Sequence, residues 1–223
     1  MRRCRAVVVT MLVALVAVVG CTKQIDGTAL RDPVPAPLGV SRDGYGVVAG
    51  FDSAPYHIEI FTEPQCNHCA DLQADFGDQL RYYIDTGALQ VTYRPLTFLD
   101  DRPGGHSARV ANALFLAAES GASGAPFQRF VQQLWAHQEP GGPGPSDDEM
   151  AEMARAAGMP GEAADRIASG GPAVDVADMD TVNFGYLYEI DNLTTGTPTV
   201  YDLVADKRLD IYDDDWLVRL MQS

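Results

Sequence analysis

Runs of strand character and runs of helical spacing alternate along the chain. Tyr56–Thr62 reads YHIEIFT, aromatic and β-branched, and predicts a strand. From Cys69 onward, Leu72, Phe76, Leu80 and Tyr83 recur at steps of three or four, which sets them on one helical face. Gly87 follows Thr86 as a natural helix stop. ALQVTYRPL, Ala88–Leu96, returns to strand character, and YGVVAG before the first strand is a short apolar run with glycine on both sides, a candidate edge strand. A helical stretch follows. HSARVANALFLAAES ends at Gly121, and APFQRFVQQLWAHQ carries Pro126 near its start, where proline is tolerated. EPGGPGP is a loop, and SDDEMAEMARAAG has Ser146 three residues before Glu149, the spacing of a capping box. VDVADMDTVNFGYLYEIDNL is a last, weaker helix. The chain then returns to strands in TPTVYDLV and RLDIY (Arg208–Tyr212) around the turn ADK, and closes with DDDWLVRLMQ, whose acids suit a helix N-terminus. The predicted order is β–α–β, a helical block, then β–β–α.

The N-terminus is of another kind. Arg2, Arg3 and Arg5 precede an uncharged apolar stretch, Ala6–Gly20. It is shorter than the roughly 20 residues of a comfortable membrane span, and the pattern is that of a secretory signal. Its end, AVVGC, resembles the lipobox of bacterial lipoproteins, which implies that Cys21 is diacylated and becomes the mature N-terminus. The alternative is an ordinary signal peptide with an incidental cysteine. The expected location is extracytoplasmic, with the lipid on Cys21 holding the protein to the outer face of the bacterial cytoplasmic membrane. TKQIDGTALRDPVPAPLG after Cys21 has little periodicity and three prolines, so residues 21–44 read as lipidated N-terminus and tether, and folding is expected to begin near Tyr45.

Charge excludes more than it indicates. Lys+Arg total 16 against 31 Asp+Glu, a net of −15, and residues 1–20 hold three of the arginines and no acid. Nucleic-acid binding needs basic patches to neutralise phosphate and is not expected. An acidic surface is not drawn to anionic headgroups either, so a lipid would have to supply membrane attachment.

With Cys4 in the signal and Cys21 lipidated, Cys66 and Cys69 are the thiols of the mature chain. A bridge between them closes a very short loop, which removes little entropy from the unfolded chain and makes a poor staple. The pair therefore points to chemistry. Cys66 falls at a strand-to-helix junction just after Pro64. There the first helical turn offers unpaired N–H groups and the positive end of the helix dipole, both of which favour a thiolate. Cys69 returns to the same side one turn later, in reach of a mixed disulfide at Cys66. His68, if protonated, adds positive charge beside Cys66; an exposed residue without coupling is the alternative. Far along the chain, Thr197-Pro198 precedes a strand.

IFTEPQCNHC, GTPTV and the helical block between them resemble the DsbA-like branch of the thioredoxin superfamily. The resemblance implies an α/β thioredoxin fold with an inserted helical domain: its N-terminal part over 45–99, the insertion over 100–193 and its C-terminal part over 194–223. It implies a thiol–disulfide oxidoreductase that needs no cofactor beyond a redox-active Cys66–Cys69 disulfide. Cys66 would be the exposed nucleophile and Cys69 the resolving thiol. Asn67 and His68 would tune the redox poise, and Thr197 with a cis Pro198 would form the substrate platform. Expected partners are reduced or unfolded exported proteins and a membrane redox partner, with the protein itself a monomer.

Two departures stand out. Many members have proline where this chain has Asn67, and many have a buried acid six residues before the first cysteine, where this chain has Ile60. Glu59 and Glu63 are the nearest carboxylates and the candidate proton relays. Strand alternation turns them away from the direction of Ile60, so an exposed Glu63 at the strand end is an equal alternative. Within the enzyme reading, oxidase is favoured over isomerase or reductase because no added dimerisation domain is visible. The rival of a different class is a metal-binding or delivery lipoprotein using Cys66, His68 and Cys69. It lacks a fourth ligand, since His57, His106 and His137 show no paired spacing, and no metal site is expected.

Overall fold

The computed structural model describes residues 34–223. The signal segment, Cys4, Cys21 and most of the predicted tether lie outside the described residues.

Two short strands, β1 (Leu38–Val40) and β2 (Val47–Ala49), form an antiparallel pair. The β–α–β unit follows as β3 (Tyr56–Thr62), α1 (Asn67–Asp85) and β4 (Leu89–Pro95), with β3 and β4 parallel. Five helices come next: α2 (His106–Ala118), α3 (Gly124–Ala136), α4 (Asp147–Ala156), α5 (Gly161–Ser169) and α6 (Val176–Ile190). β5 (Thr199–Asp202) and β6 (Lys207–Arg208) return to the sheet, and α7 (Trp216–Leu220) closes the chain. The sheet order is β1-β2-β4-β3-β5-β6. This is a thioredoxin fold with a helical block inserted between β4 and β5.

Alternation along β3 divides the core. Ile58 and Ile60 face Cys69, Leu72, Leu80 and Ile84 of α1, and Phe127, Val131 and Leu134 of α3 join the same cluster. Phe61 faces the other way, into a smaller cluster with Leu96 and Leu187 of α6. Each buried side chain of this size contributes roughly 1.5–3 kcal/mol, so the apolar stripe of α1 holds that helix, and with it the CxxC segment, against the sheet. α1 and α3 approach closely at Gly77, where a Cβ would come within 2.5 Å of the Gln132 side chain.

The structure corrects the sequence reading in four places. Folding begins before Tyr45: β1 lies inside the stretch read as tether, and Ala36 is buried while Gly124 donates its N–H to the Ala36 carbonyl at 2.8 Å. β2 is not an edge strand, because β1 covers it on one side and β4 on the other. Helix α5 was missed, since its nine residues carry only three buried ones, Ala163, Ala164 and Ile167. Arg208–Tyr212 does not form a strand beyond Arg208; Lys207 and Arg208 make the ladder. The capping box of Ser146 and Glu149 is present.

Candidate active site

β3 ends at Thr62 and the chain turns through Glu63, Pro64 and Gln65, with the Cys66 N–H donating to the Glu63 carbonyl at 3.0 Å. Cys66 is the N-cap of α1 in extended conformation, and its carbonyl accepts the N–H groups of Cys69 at 3.0 Å and Ala70 at 3.2 Å. Gln138, just beyond α3, clamps this turn by donating to the carbonyls of Pro64 and Cys66, each at 3.2 Å. β5 pairs antiparallel with β3, Phe61 opposite Thr199. That register brings the start of β5 beside the end of β3. The Thr197–Pro198 bond is cis, and the Cys66 sulfur lies 3.3 Å from the Thr197 carbonyl oxygen.

The two sulfurs are unlike. Cys66 is half-buried, and its thiol is pulled down to about 5. A hydrogen bond from the Cys69 thiol is the largest cause. Burial opposes it, while Thr197 and the backbone N–H groups of Cys69 and His68 add to it. Cys69 is fully buried, and that burial pushes its thiol well up, reinforced by the thiolate beside it. The Glu63 N–H donates to the Cys69 sulfur at 3.5 Å. One sulfur is thus set as a thiolate at the surface and the other as a thiol behind it.

Glu63 is buried and turned inward. The strand alternation that would expose it stops at Thr62, and the turn after β3 redirects its side chain. Its carboxyl accepts the Gln65 N–H at 2.6 Å and the Ser107 hydroxyl. Burial pushes it up to about 7 against these two bonds, and the charges of Asp100 and Cys66 raise it further.

A thioredoxin family model matches residues 42–201. The chain belongs to the thioredoxin family. Among solved structures it is similar to the MdbA thiol-disulfide oxidoreductase of Corynebacterium diphtheriae, at 22% identity and a TM-score of 0.67 over 85% of this chain and 96% of that one. It is also similar to the reduced DsbA of Mycobacterium tuberculosis, at 22% identity and a TM-score of 0.60 over 80% and 91%. A curated relative, the serine/threonine-protein kinase PknE of Mycobacterium tuberculosis, is 27% identical over 186 residues, 79% of this chain. The chain spans about a third of that protein's length (31%).

The remaining residues singled out from sequence in this thioredoxin-family chain fall into two groups. Asn67 and His68 lie exposed in the first turn of α1, with the His68 ring 3.5 Å from the Asp71 carboxylate. His68 and Pro198 share a hollow of about 350 Å³ with Leu72, Phe76 and Tyr212. Glu59, by contrast, is not brought to the cysteines. It lies on the other face of the sheet, where its carboxylate accepts from Arg94 at 2.7 and 2.8 Å. Arg94 also pairs with Asp43, and Asn183 of α6 closes the cluster. Alternation along β3 puts Glu59 with Phe61 on the α6 side.

Sequence reasoning missed Gln65, Asp100 and Ser107. The Asp100 carboxylate accepts the N–H groups of Ser107 and Ala108, each at 2.9 Å, and so caps α2 from a distance. The Gln65 amide donates to Asp100 and to the Ser107 hydroxyl, both at 3.0 Å. A cavity of about 390 Å³ lined by Gln65, Asp100, His106 and Arg109 opens beside them. A serine at the start of a helix carried no signal that it would meet a residue 44 positions earlier.

Proposed function

We propose that the protein is an extracytoplasmic thiol–disulfide oxidoreductase that acts as an oxidase, making disulfides in exported proteins through a Cys66–Cys69 disulfide. The observation that carries this reading is the asymmetry of the pair: a half-exposed sulfur lowered to about 5 at the start of α1, with a buried sulfur raised behind it. A substrate thiolate attacks the Cys66 sulfur and Cys69 leaves. A second substrate thiolate then attacks the substrate sulfur of the mixed disulfide, and Cys66 departs as the stable thiolate. Stabilising that thiolate stabilises the reduced enzyme, which makes the oxidised form the stronger oxidant. The Thr197 backbone and the hollow beside Pro198 supply the platform on which an extended substrate segment lies.

The MdbA protein is a thiol-disulfide oxidoreductase, and the DsbA and DsbG proteins of Mycobacterium tuberculosis carry the same fold. These support the reaction class; the direction rests on the thiolate argument. The metal-binding alternative is disfavoured by geometry. Cys69 is buried and the His68 ring points to Asp71, and among the described residues no group of three His, Cys, Asp or Glu side chains converges. Reduced exported proteins are the proposed substrates and a membrane redox partner the proposed recycler, with a lipid on Cys21 tethering a monomer.

The test is equilibration with glutathione together with oxidation of a reduced dithiol peptide. An oxidase gives a potential well above that of thioredoxin, about −270 mV, and rapid peptide oxidation. A potential at or below it makes the protein a reductase. Failure to exchange with any dithiol near neutral pH removes the reaction class altogether.

A further inference from the structure

We infer that Ser107 is a positioning residue for the redox pair: with Gln65 it holds the Glu63 carboxyl beside the cysteines, where that carboxyl exchanges a proton with the buried thiol. The inference rests on the reading of Cys66 and Cys69 as a disulfide-exchanging pair.

The hydrogen-bond pattern has a forced direction. The Gln65 amide oxygen accepts the Gly141 N–H at 2.9 Å, so its NH₂ must face Asp100 and Ser107. The Ser107 oxygen therefore accepts from Gln65, and its own hydrogen is left for the Glu63 carboxyl. The other carboxyl oxygen takes the Gln65 N–H at 2.6 Å. Every link is buried or nearly so, yet Gln65 and Asp100 line the 390 Å³ cavity together with His106. Gln65, fixed by Gly141 and Asp100, thus sets the direction of the Ser107 hydroxyl toward Glu63. The groups facing Glu63 are Gln65 and Cys66 in the turn, Cys69 on α1, Asp100 in the loop after β4 and Ser107 on α2.

The chemistry needs such a link. When a substrate thiolate attacks, a bond forms between its sulfur and Cys66, and the Cys66–Cys69 bond breaks. The electron pair stays on Cys69. That sulfur is buried and its thiol form is strongly favoured, so it requires a proton. Glu63, whose backbone N–H already touches the Cys69 sulfur, supplies it and becomes a carboxylate, which the Ser107 hydroxyl and Gln65 N–H stabilise. In the second half-reaction Cys66 leaves as a thiolate and needs none. In the reverse direction Glu63 takes the proton from Cys69.

Two measurements on the reduced full-length protein test this. One is a ¹³C NMR titration of the Glu63 carboxyl; the other is the rate of Cys66 alkylation by iodoacetamide against pH. In the wild type the Glu63 titration near pH 7 should coincide with an inflection in alkylation, and Glu63→Gln should remove the inflection. Ser107→Ala removes a hydrogen bond to the charged form, so both should move up by about one pH unit, with Ser107→Thr restoring them. A Glu63 that titrates as an ordinary carboxylate overturns the inference. So does a folded Ser107→Ala protein whose inflection stays in place. Should Ser107→Ala fail to fold, the wild-type coincidence and its loss in Glu63→Gln decide, coincidence supporting the link and its absence overturning it. None of these readouts needs turnover. A protein that shows the moving inflection but oxidises no dithiol keeps the Glu63–Ser107 link and loses the oxidase reading.

Discussion

Lowering the pH should destabilise the reduced protein relative to the oxidised one, and the size of the effect follows from Cys66. Its thiol is pulled down to about 5 in the fold from the 9.0 of an ordinary thiol. A depressed value means stability that is present above the unfolded value and lost as pH falls through the folded one. At pH 7 the folded thiolate is therefore favoured by about two pH units over the unfolded thiol, or roughly 2.7 kcal/mol. Cys66 is only partly buried, so screening by solvent reduces this to about 1–1.5 kcal/mol. Cys69 is silent over this range, because its raised value keeps it a thiol in both states. Urea denaturation at pH 7 and pH 4, run on reduced and oxidised protein in parallel, isolates the term. Carboxylates titrate in both forms, whereas the cysteines titrate only in the reduced one, and running both in the Glu63→Gln background removes the one carboxyl that the Cys66 charge raises. The gap in stability should close by about 1–1.5 kcal/mol on going to pH 4. An unchanged gap would refute the thiolate argument, and with it the reason for expecting an oxidase.

Three further outcomes follow from the same geometry. Cys69→Ser should accumulate mixed disulfides with a thiol substrate through Cys66, while Cys66→Ser should accumulate almost none; mass spectrometry after acid quenching reads both. His68→Ala should make the pair less oxidising by no more than about 30 mV, because the ring is exposed and Asp71 stands 3.5 Å away to offset its charge; a shift of twice that by glutathione equilibration would give His68 a larger part than its position allows. Arg94→Met should cost about 3–5 kcal/mol in urea, since it leaves the buried Glu59 carboxylate uncompensated. The same change should leave exchange per folded molecule unaltered, because the pair lies across the sheet from the cysteines.

The helical stripe of α1 was legible because burial against the sheet demands apolar residues at helical spacing, and Leu72, Phe76 and Leu80 satisfy it. The same holds for β3 and β4, whose buried runs are rich in β-branched and aromatic residues. β1 was not legible. Leu38–Val40 follows three prolines, and three residues are too few to show a period; it is a strand because β2 offers it an edge. α5 was hidden for a related reason. Its buried side consists largely of alanines, which let α4 and α5 pack closely but mark no apolar stripe.

By itself, the sequence determined the β–α–β unit around the cysteines, the place of Cys66 at a strand-to-helix junction, and Thr197-Pro198 at the head of a strand. Those features are local: each depends on residues within a turn or two of chain. Only the tertiary structure decided which of the two candidate carboxylates is brought to the side of the cysteines. Glu59 and Glu63 are four residues apart on one segment, and period-two alternation treats them alike. The strand ends between them, so Glu59 stays on the α6 face with Arg94 while the turn carries Glu63 inward to Ser107. What selects Glu63 is a set of partners 37 and 44 residues away, Asp100 and Ser107, delivered by the packing of α2 against the turn before α1. Burial then raises its carboxyl to about 7, a property that belongs to the enclosure and to no residue taken alone.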